Sequence, residues 1–425
     1  PALSVDTVVR GVITAGGTMT TNANALTVTD NSALFNFNAS TSRNAKELDL
    51  VITRDAAGLN RAVDPLRPNE AAVASALQTM INNGQPSSLD PLVTALSGLT
   101  TDQVNGAMSG LLPAVSGANA QAGMNALRAT NNIIQSRVES YRGLSSGDSA
   151  NERFMWLRAL DSSGRQDDRQ GISGYKSDMR GLVLGADKPI SPRTRVGMAF
   201  SSFRGDIRNA GPVAPSSVAL DSYQLTGYSS IRTDDRTDVN LQLTLGKNKG
   251  ASQRLAYAGG TAFANLNGMM VHAGAGVGRM YELGQDASLT PSLRLDYVAV
   301  RTDDYAERGA TVANLLVNSQ KARDLRLTPG VKYVHSFSAG TKFIGNAGLG
   351  YDLLNGETLT TASFAGGGPA FVTRAPAQSP WLATAGLALV HEDSKGSEWS
   401  LRYDVDSRTS GYRNQSLSVR LRMAF

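Results

Sequence analysis

Gln415-Ser416-Leu417-Ser418-Val419-Arg420-Leu421-Arg422-Met423-Ala424-Phe425 decides how the rest of the sequence is read. Its odd positions carry Leu417, Val419, Leu421, Met423 and Phe425, and its even ones Ser416, Ser418, Arg420 and Arg422. Successive side chains of a strand point to opposite faces, so this is a strand with one apolar and one strongly polar face. The segment before it does the same: Trp399, Leu401, Tyr403 and Val405 alternate with Ser400, Arg402, Asp404 and Asp406.

The pattern recurs upstream. Val239, Leu241, Leu243 and Leu245 alternate with Asn240, Gln242 and Thr244, and Leu293, Leu295 and Tyr297 with Arg294 and Asp296. Twelve such segments are expected, near 152–162, 174–190, 192–208, 217–233, 235–253, 260–284, 287–305, 315–338, 341–355, 372–392, 397–408 and 411–425. Pro291 and Pro329 interrupt the seventh and eighth. Proline suits a strand start or a bulge, so these two strands are expected to begin later. Tight connections at 189–192, 233–237, 284–287, 338–341 and 393–396 alternate with longer ones near 163–173, 208–217, 254–260, 305–315 and 356–372; the one at 408–411 breaks the rule.

A soluble sandwich also alternates, but many of these segments exceed the ~9–11 residues of a tilted bilayer crossing. Polar faces carry full charges, while the opposite faces are apolar with aromatics near their ends, as in a lipid-facing band. The expected fold is an all-β transmembrane barrel of about 12 antiparallel strands. Its lumen would be lined by Gly274, Gly276, Gly278, Arg294, Asp296, Arg402, Asp404, Arg420 and Arg422. Asp296, Asp404 and Asp406 could pair with Arg294, Arg402, Arg420 and Arg422 as a structural ladder. A barrel of this width is too wide to be filled by its own side chains, so something slim should sit inside.

The candidate is an α-helix from Ala118 to Tyr141, within a segment bounded at 118–145. Met124, Leu127, Ile134, Val138 and Tyr141 form one apolar stripe, and Asn131-Asn132 stand at its middle. As a helix, its ~24 residues would reach ~36 Å, about one membrane thickness. Residues 61–117 read as a helical linker. Asn69 precedes a helix over 70–81, Asp90 and Pro91 open another that Gly98 ends, and Thr100 and Gln103 have capping-box spacing. Residues 1–60 are Thr- and Asn-rich with short apolar alternations, and the barrel is bounded at 146–425.

Composition narrows the function classes. With no cysteine and three histidines among 425 residues, neither a disulfide scaffold nor a thiolate or histidine-rich metal site is expected, nor any cofactor. The net charge of +5 is scattered, which argues against a nucleic-acid surface. No run of 18 apolar residues suggests a transmembrane helix. The start at Pro1, without Met or a signal peptide, reads as a fragment or processed product.

From about Arg153 to Phe425 the sequence resembles the translocator domain of classical autotransporters (type V secretion). The resembling pieces are Met155-Trp156-Leu157-Arg158, Tyr175 with Arg180-Gly181-Leu182 and Gly185-Ala186-Asp187, Gly260-Thr261-Ala262, Phe364-Ala365-Gly366-Gly367-Gly368, and the strand Leu417–Phe425. That strand resembles the signal read by the barrel-assembly machinery, carried here by Leu417, Val419, Leu421, Met423 and Phe425. The stretch 26–35 resembles the last rungs of a β-helical passenger. The resemblance implies a bacterial outer-membrane anchor that helps export its own passenger to the cell surface, with outer-membrane lipids, the assembly machinery and periplasmic chaperones as partners. In some members the helix is cut between two asparagines; here Asn131 and Asn132 occupy the middle of the helix, and a solvated pair is the favoured reading.

Other chemistry is not supported. Gly147-Asp148-Ser149 is followed by Ala150 and no helix to seat a nucleophile. Gly274-Ala275-Gly276 lies inside a strand rather than at a helix start. His272, His335 and His391 fall on separate strands and nominate no triad. The chain is expected not to be an enzyme. The alternatives are a plain diffusion porin, with residues 356–372 as its only inward-loop candidate, and a membrane hydrolase barrel, for which no Ser–His pair can be assembled.

Overall fold

The computed structural model describes residues 7–20, 26–41, 45–84, 86–115, 118–139, 153–211, 213–338, 340–393 and 397–424. Tyr141 and Phe425 of the sequence reading lie outside these. Strands β1 (Val8–Thr14), β2 (Phe35–Ser40) and β3 (Glu47–Arg54) come first, then helices α1 (Gly58–Ala62), α2 (Pro68–Asn83), α3 (Asp90–Ser97), α4 (Val104–Ser109) and α5 (Ala118–Glu139). The remaining strands are β4 (Phe154–Gln166), β5 (Tyr175–Ser191), β6 (Thr194–Asn209), β7 (Ser216–Arg232), β8 (Thr237–Ala256), β9 (Gly260–Arg279), β10 (Tyr281–Glu282), β11 (Ala287–Thr302), β12 (Tyr305–Ala306), β13 (Leu315–Val317), β14 (Gln320–Ser338), β15 (Thr341–Asp352), β16 (Leu359–Phe364), β17 (Phe371–Arg374), β18 (Trp381–Glu392), β19 (Glu398–Arg408) and β20 (Tyr412–Ala424).

Twelve of these strands close a barrel in the order β4-β5-β6-β7-β8-β9-β11-β14-β15-β18-β19-β20. Every neighbour pair is antiparallel, and β20 returns to β4 in register from Tyr412 opposite Gln166 to Ala424 opposite Phe154. Closure leaves no unpaired strand edge, which hydrocarbon would penalise heavily. Along β4, buried and exposed residues alternate without a break. The outward set includes Met155, Leu157, Leu182, Leu184, Phe200, Leu241, Leu243, Leu401, Leu417, Val419 and Leu421, a lipid-facing band. Beyond the band, outward charges pair across strands, Arg180 with Asp161 at 2.7 Å and Arg204 with Asp221 at 3.0 Å.

Three expectations are corrected. The eighth barrel strand does begin later than 315, at Gln320, but neither proline sets a strand start: Pro291 faces Val331 and Pro329 faces Leu293 within the β11–β14 ladder. Each instead lies where the other flank is open. The β9 pairing of β11 starts at Ser292, and the β14–β15 ladder skips from Leu327 to Gly330. The missing N–H therefore costs no ladder bond on that flank. The expected tenth segment, 372–392, is two strands, β17 outside the barrel and β18 within it. The connection near 254–260, expected to be longer, is tight, whereas the tight turn expected at 284–287 joins β10 to β11.

The N-terminal region packs on the barrel's outer loops. The strands β1-β3-β2 pair antiparallel, not in the parallel stacking of β-helix rungs expected for residues 1–60. Loop strands β12, β13, β16 and β17 form a small sheet above the barrel mouth. One apolar core joins Leu34, Ile52, Leu59, Leu77, Leu89, Leu92 and Met108 to Leu315, Phe364 and Phe371 of those loops. Asn69 is the clearest weld. It sits inside α2 rather than capping it; its side chain donates to the carbonyl of Arg374 at 2.9 Å and accepts from the Arg374 N–H at 2.8 Å. The Thr100–Gln103 capping box is present.

Candidate functional site

The lumen is the site, and α5 runs through it. The helix is rich in alanine and short polar residues, with few β-branched side chains, so it forms readily and stays slim. It packs chiefly against β5 to β9, β11 and β14. Toward the outer mouth, Ala120, Met124 and Leu127 pack on Met270, Val298 and Val300. Further in, Ala126, Ile133, Ile134 and Val138 pack on Trp156, Leu160, Val183, Phe203 and Tyr228.

Two arginines of the helix are pinned to opposite parts of the wall. Arg128 donates to Asp324 of β14 at 2.6 Å; Asp324 also accepts from Arg326 at 2.5 Å and lies 3.5 Å from Arg408. Arg137 grips Asp187 of β5 through two bonds of 2.9 Å each. Asp187 further accepts from Arg195 at 3.0 Å and from the Tyr228 hydroxyl at 3.1 Å, and Trp156 donates to that hydroxyl at 2.9 Å. The guanidiniums of Arg137, Arg195 and Arg422 surround the Phe154 ring at 5.2, 5.0 and 4.5 Å. Buried charges persist only when paired and hydrogen-bonded, and here the partners come from different elements.

Between these anchors Arg294 reaches the helix. It donates to the Asn131 side-chain oxygen at 2.8 Å while its Nε bonds Asp296 at 2.9 Å, and His272 Nε2 lies 2.8 Å from Asp296. The inward residues of the sequence reading therefore sort into groups. Arg294 and Asp296 touch the network at Asn131, with Gly274 and Gly276 beneath them: a Cβ on Gly274 would meet Arg294 at 2.2 Å. Gly278 is buried on the same face. Arg402 and Asp404 pair with each other at 2.6 Å, and Arg402 also donates to Asn346 at 2.6 Å. Arg420 bonds Glu398, and Arg422 bonds Glu392 at 2.8 Å. Asn132 is half-buried.

Asp187, Asp324, Trp156 and Tyr228 were missed as site residues. Their strands do show the two-residue period that would place them inward, and two of them lie in the resembling pieces quoted above. Two further inward glycines support the rings. Gly185 and Gly197 provide flat beds for the Trp156 and Tyr228 rings, where a Cβ would meet ring carbon at 2.3 Å in each case.

A closed barrel, apolar outside and holding a pinned helix in a charged lumen, is an outer-membrane transport barrel with an occupied pore. The autotransporter β-domain model matches residues 155–404, and the chain belongs to that family. It is 24% identical over 306 residues to outer membrane protein B of Rickettsia prowazekii, covering 66% of this chain and 18% of that protein. The same protein of Rickettsia typhi matches with 24% identity over 306 residues, 65% and 18% covered. The chain thus spans less than a fifth of the length of these relatives. The translocator domain of the autotransporter NalP from Neisseria meningitidis superposes with a TM-score of 0.56 at 19% identity, covering 71% of this chain and 98% of that domain, a likeness of fold. The chain is an autotransporter translocator barrel of the bacterial outer membrane.

Proposed function

We propose that α5 is the resident plug of the export pore and that residues 61–117 form a cap over its outer mouth. The observation that carries this is the double pinning of α5, by Arg128 to Asp324 and by Arg137 to Asp187, with Arg294 holding Asn131 between them. A helix merely passing through would not need three wall contacts of this kind. On this reading residues 1–60 are the end of the passenger. The outward row Leu417, Val419, Leu421 and Met423, with Phe425, is what the barrel-assembly machinery reads after periplasmic chaperones deliver the chain. The helix stays uncut: the Asn131 side chain is engaged by Arg294, and its carbonyl lies in the middle of a continuous α-helix.

Single-channel recording in planar bilayers tests the plug. The full chain is expected to stay nearly closed, and a chain lacking residues 61–145 to conduct strongly. Equal conductance would place the helix outside the conduction path and favour the plain porin. Mass spectrometry of the assembled chain checks cleavage; a break between Asn131 and Asn132 would refute the uncut helix.

A further inference from the structure

The periplasmic half of the lumen contains a cavity of about 460 Å³, bounded by α5 and by inward residues of β4, β15, β18, β19 and β20. Three of its lining residues stand in a row across adjacent strands: Ser400 opposite Arg420, and Arg420 opposite Arg158. They are 1%, 3% and 2% exposed. The Nε of Arg158, the Nε of Arg420 and the Oγ of Ser400 are all buried with no hydrogen-bond partner among the described residues. Among the described residues, Arg158 donates to Ser136 Oγ of α5 alone, at 2.6 Å.

The nearby carboxylates already have cationic partners, one of them within the row itself. Glu398 serves Arg420 and Arg422, Glu392 serves Arg422, Asp404 serves Arg402, and Glu139 faces Lys332 at 3.8 Å. Glu282 and Asp286 stand exposed at the rim, and Lys342 adds a further cation to the wall. Among the described residues, Arg158 is thus a buried cation with no carboxylate in ion-pair contact, beside a roomy, polar cavity. Burial makes such a charge costly, and an anion with two or three acceptor oxygens relieves that cost.

We propose that Arg158, Arg420 and Ser400 form a binding site for an oxyanion, a phosphate or a carboxylate, that enters from the periplasmic mouth. The guanidinium edges offer fork-shaped donors for two oxygens, and the serine hydroxyl offers a third bond. Because Arg158 also holds Ser136, the bound anion is tied to the C-terminal half of α5. The site does not depend on whether that helix seals the pore.

The test is calorimetric titration of the full chain, refolded in detergent, with inorganic phosphate and separately with acetate, at ionic strength fixed with sodium chloride. Saturable one-to-one binding of at least one anion is expected. Arg158→Gln should weaken it tenfold or more and Ser400→Ala a few-fold, while Arg204→Gln, an exposed charge on the outer half, should leave it unchanged. Heat-modifiable gel migration verifies that each barrel is folded; if Arg158→Gln fails that check, Ser400→Ala decides. Tighter phosphate supports a phosphate ligand, and tighter acetate a carboxylate. No saturable binding of either, or an affinity unchanged in the folded variants, overturns the site.

Discussion

At Asp187, one carboxylate serves two guanidiniums and a tyrosine hydroxyl inside the barrel wall. Removing one partner of a buried ion pair costs about 3–5 kcal/mol because the remaining charge is left bare. Asp187→Asn should therefore lower the unfolding free energy by about that amount, measured by urea titration in lipid vesicles; a loss below ~1 kcal/mol would mean that the two arginines find other partners. Glu70 of α2, outside the membrane, behaves differently. Burial raises its pKa, opposed by its backbone hydrogen bond and by Arg67. The folded chain then holds this proton more tightly than the unfolded one, so its contribution is fully present below the ordinary value of 4.5 and is lost as pH rises through and above it. Glu70→Gln should flatten that dependence and slow amide exchange in α2 at pH 7; faster exchange would mean that the charged form is the one the fold needs. Which residues face inward was legible from the two-residue period. Who pairs with whom was not. The expected ladder holds within single strands, for Arg294 with Asp296 and Arg402 with Asp404, whereas Arg420 and Arg422 turn to Glu398 and Glu392. Cross-strand partners depend on register and stagger around the whole barrel, which no single segment encodes.

The strands were nearly readable one by one because a barrel wall has one dry and one wet face along its whole length. Segment bounds near 174–190 and 217–233 fall within a residue or so of β5 and β7. The reading failed where tertiary context overrides the local signal, at the two prolines inside ladders and at 372–380, where the alternating pattern leaves the barrel to build β17. The lipid face carries a direct test. Leu184→Arg lies on the exposed side of β5, within the apolar band. A basic residue near the bilayer midplane costs about 2–4 kcal/mol in such barrels, and that loss should appear in vesicle unfolding; no loss would mean that Leu184 sits at headgroup level. On the opposite face, Gly185→Val should force the Trp156 ring off its bed and so loosen α5, raising channel leakage without preventing insertion. A variant that stays as closed as the parent would show that the ring has another place to go.

Across the whole molecule, the helical cap and the barrel's outer loops are one packed body. Arg254 of β8 states this in a single residue: it grips Glu307 through bonds of 2.8 and 2.6 Å and donates to the Gly110 carbonyl, just past α4, at 2.7 Å. Leu89→Asp would place a charge into the shared core, where it is fully buried. Residues 61–112 should then become protease-sensitive in intact cells while the barrel remains folded; unchanged resistance would mean that the cap stands without the loops.

The join between Asn69 and Arg374 has a further consequence, for timing. These residues are 305 positions apart in the chain. A contact that closes so long a loop forms after nearer ones, and its rate is set by whatever must first exist at its far end. The far end here is β17, which stands only on loops between finished barrel strands. On the proposed function, the helical segment is expected to complete its core only after the barrel has closed and β17 has formed, so that its last folding step follows its passage to the outer side and opposes return.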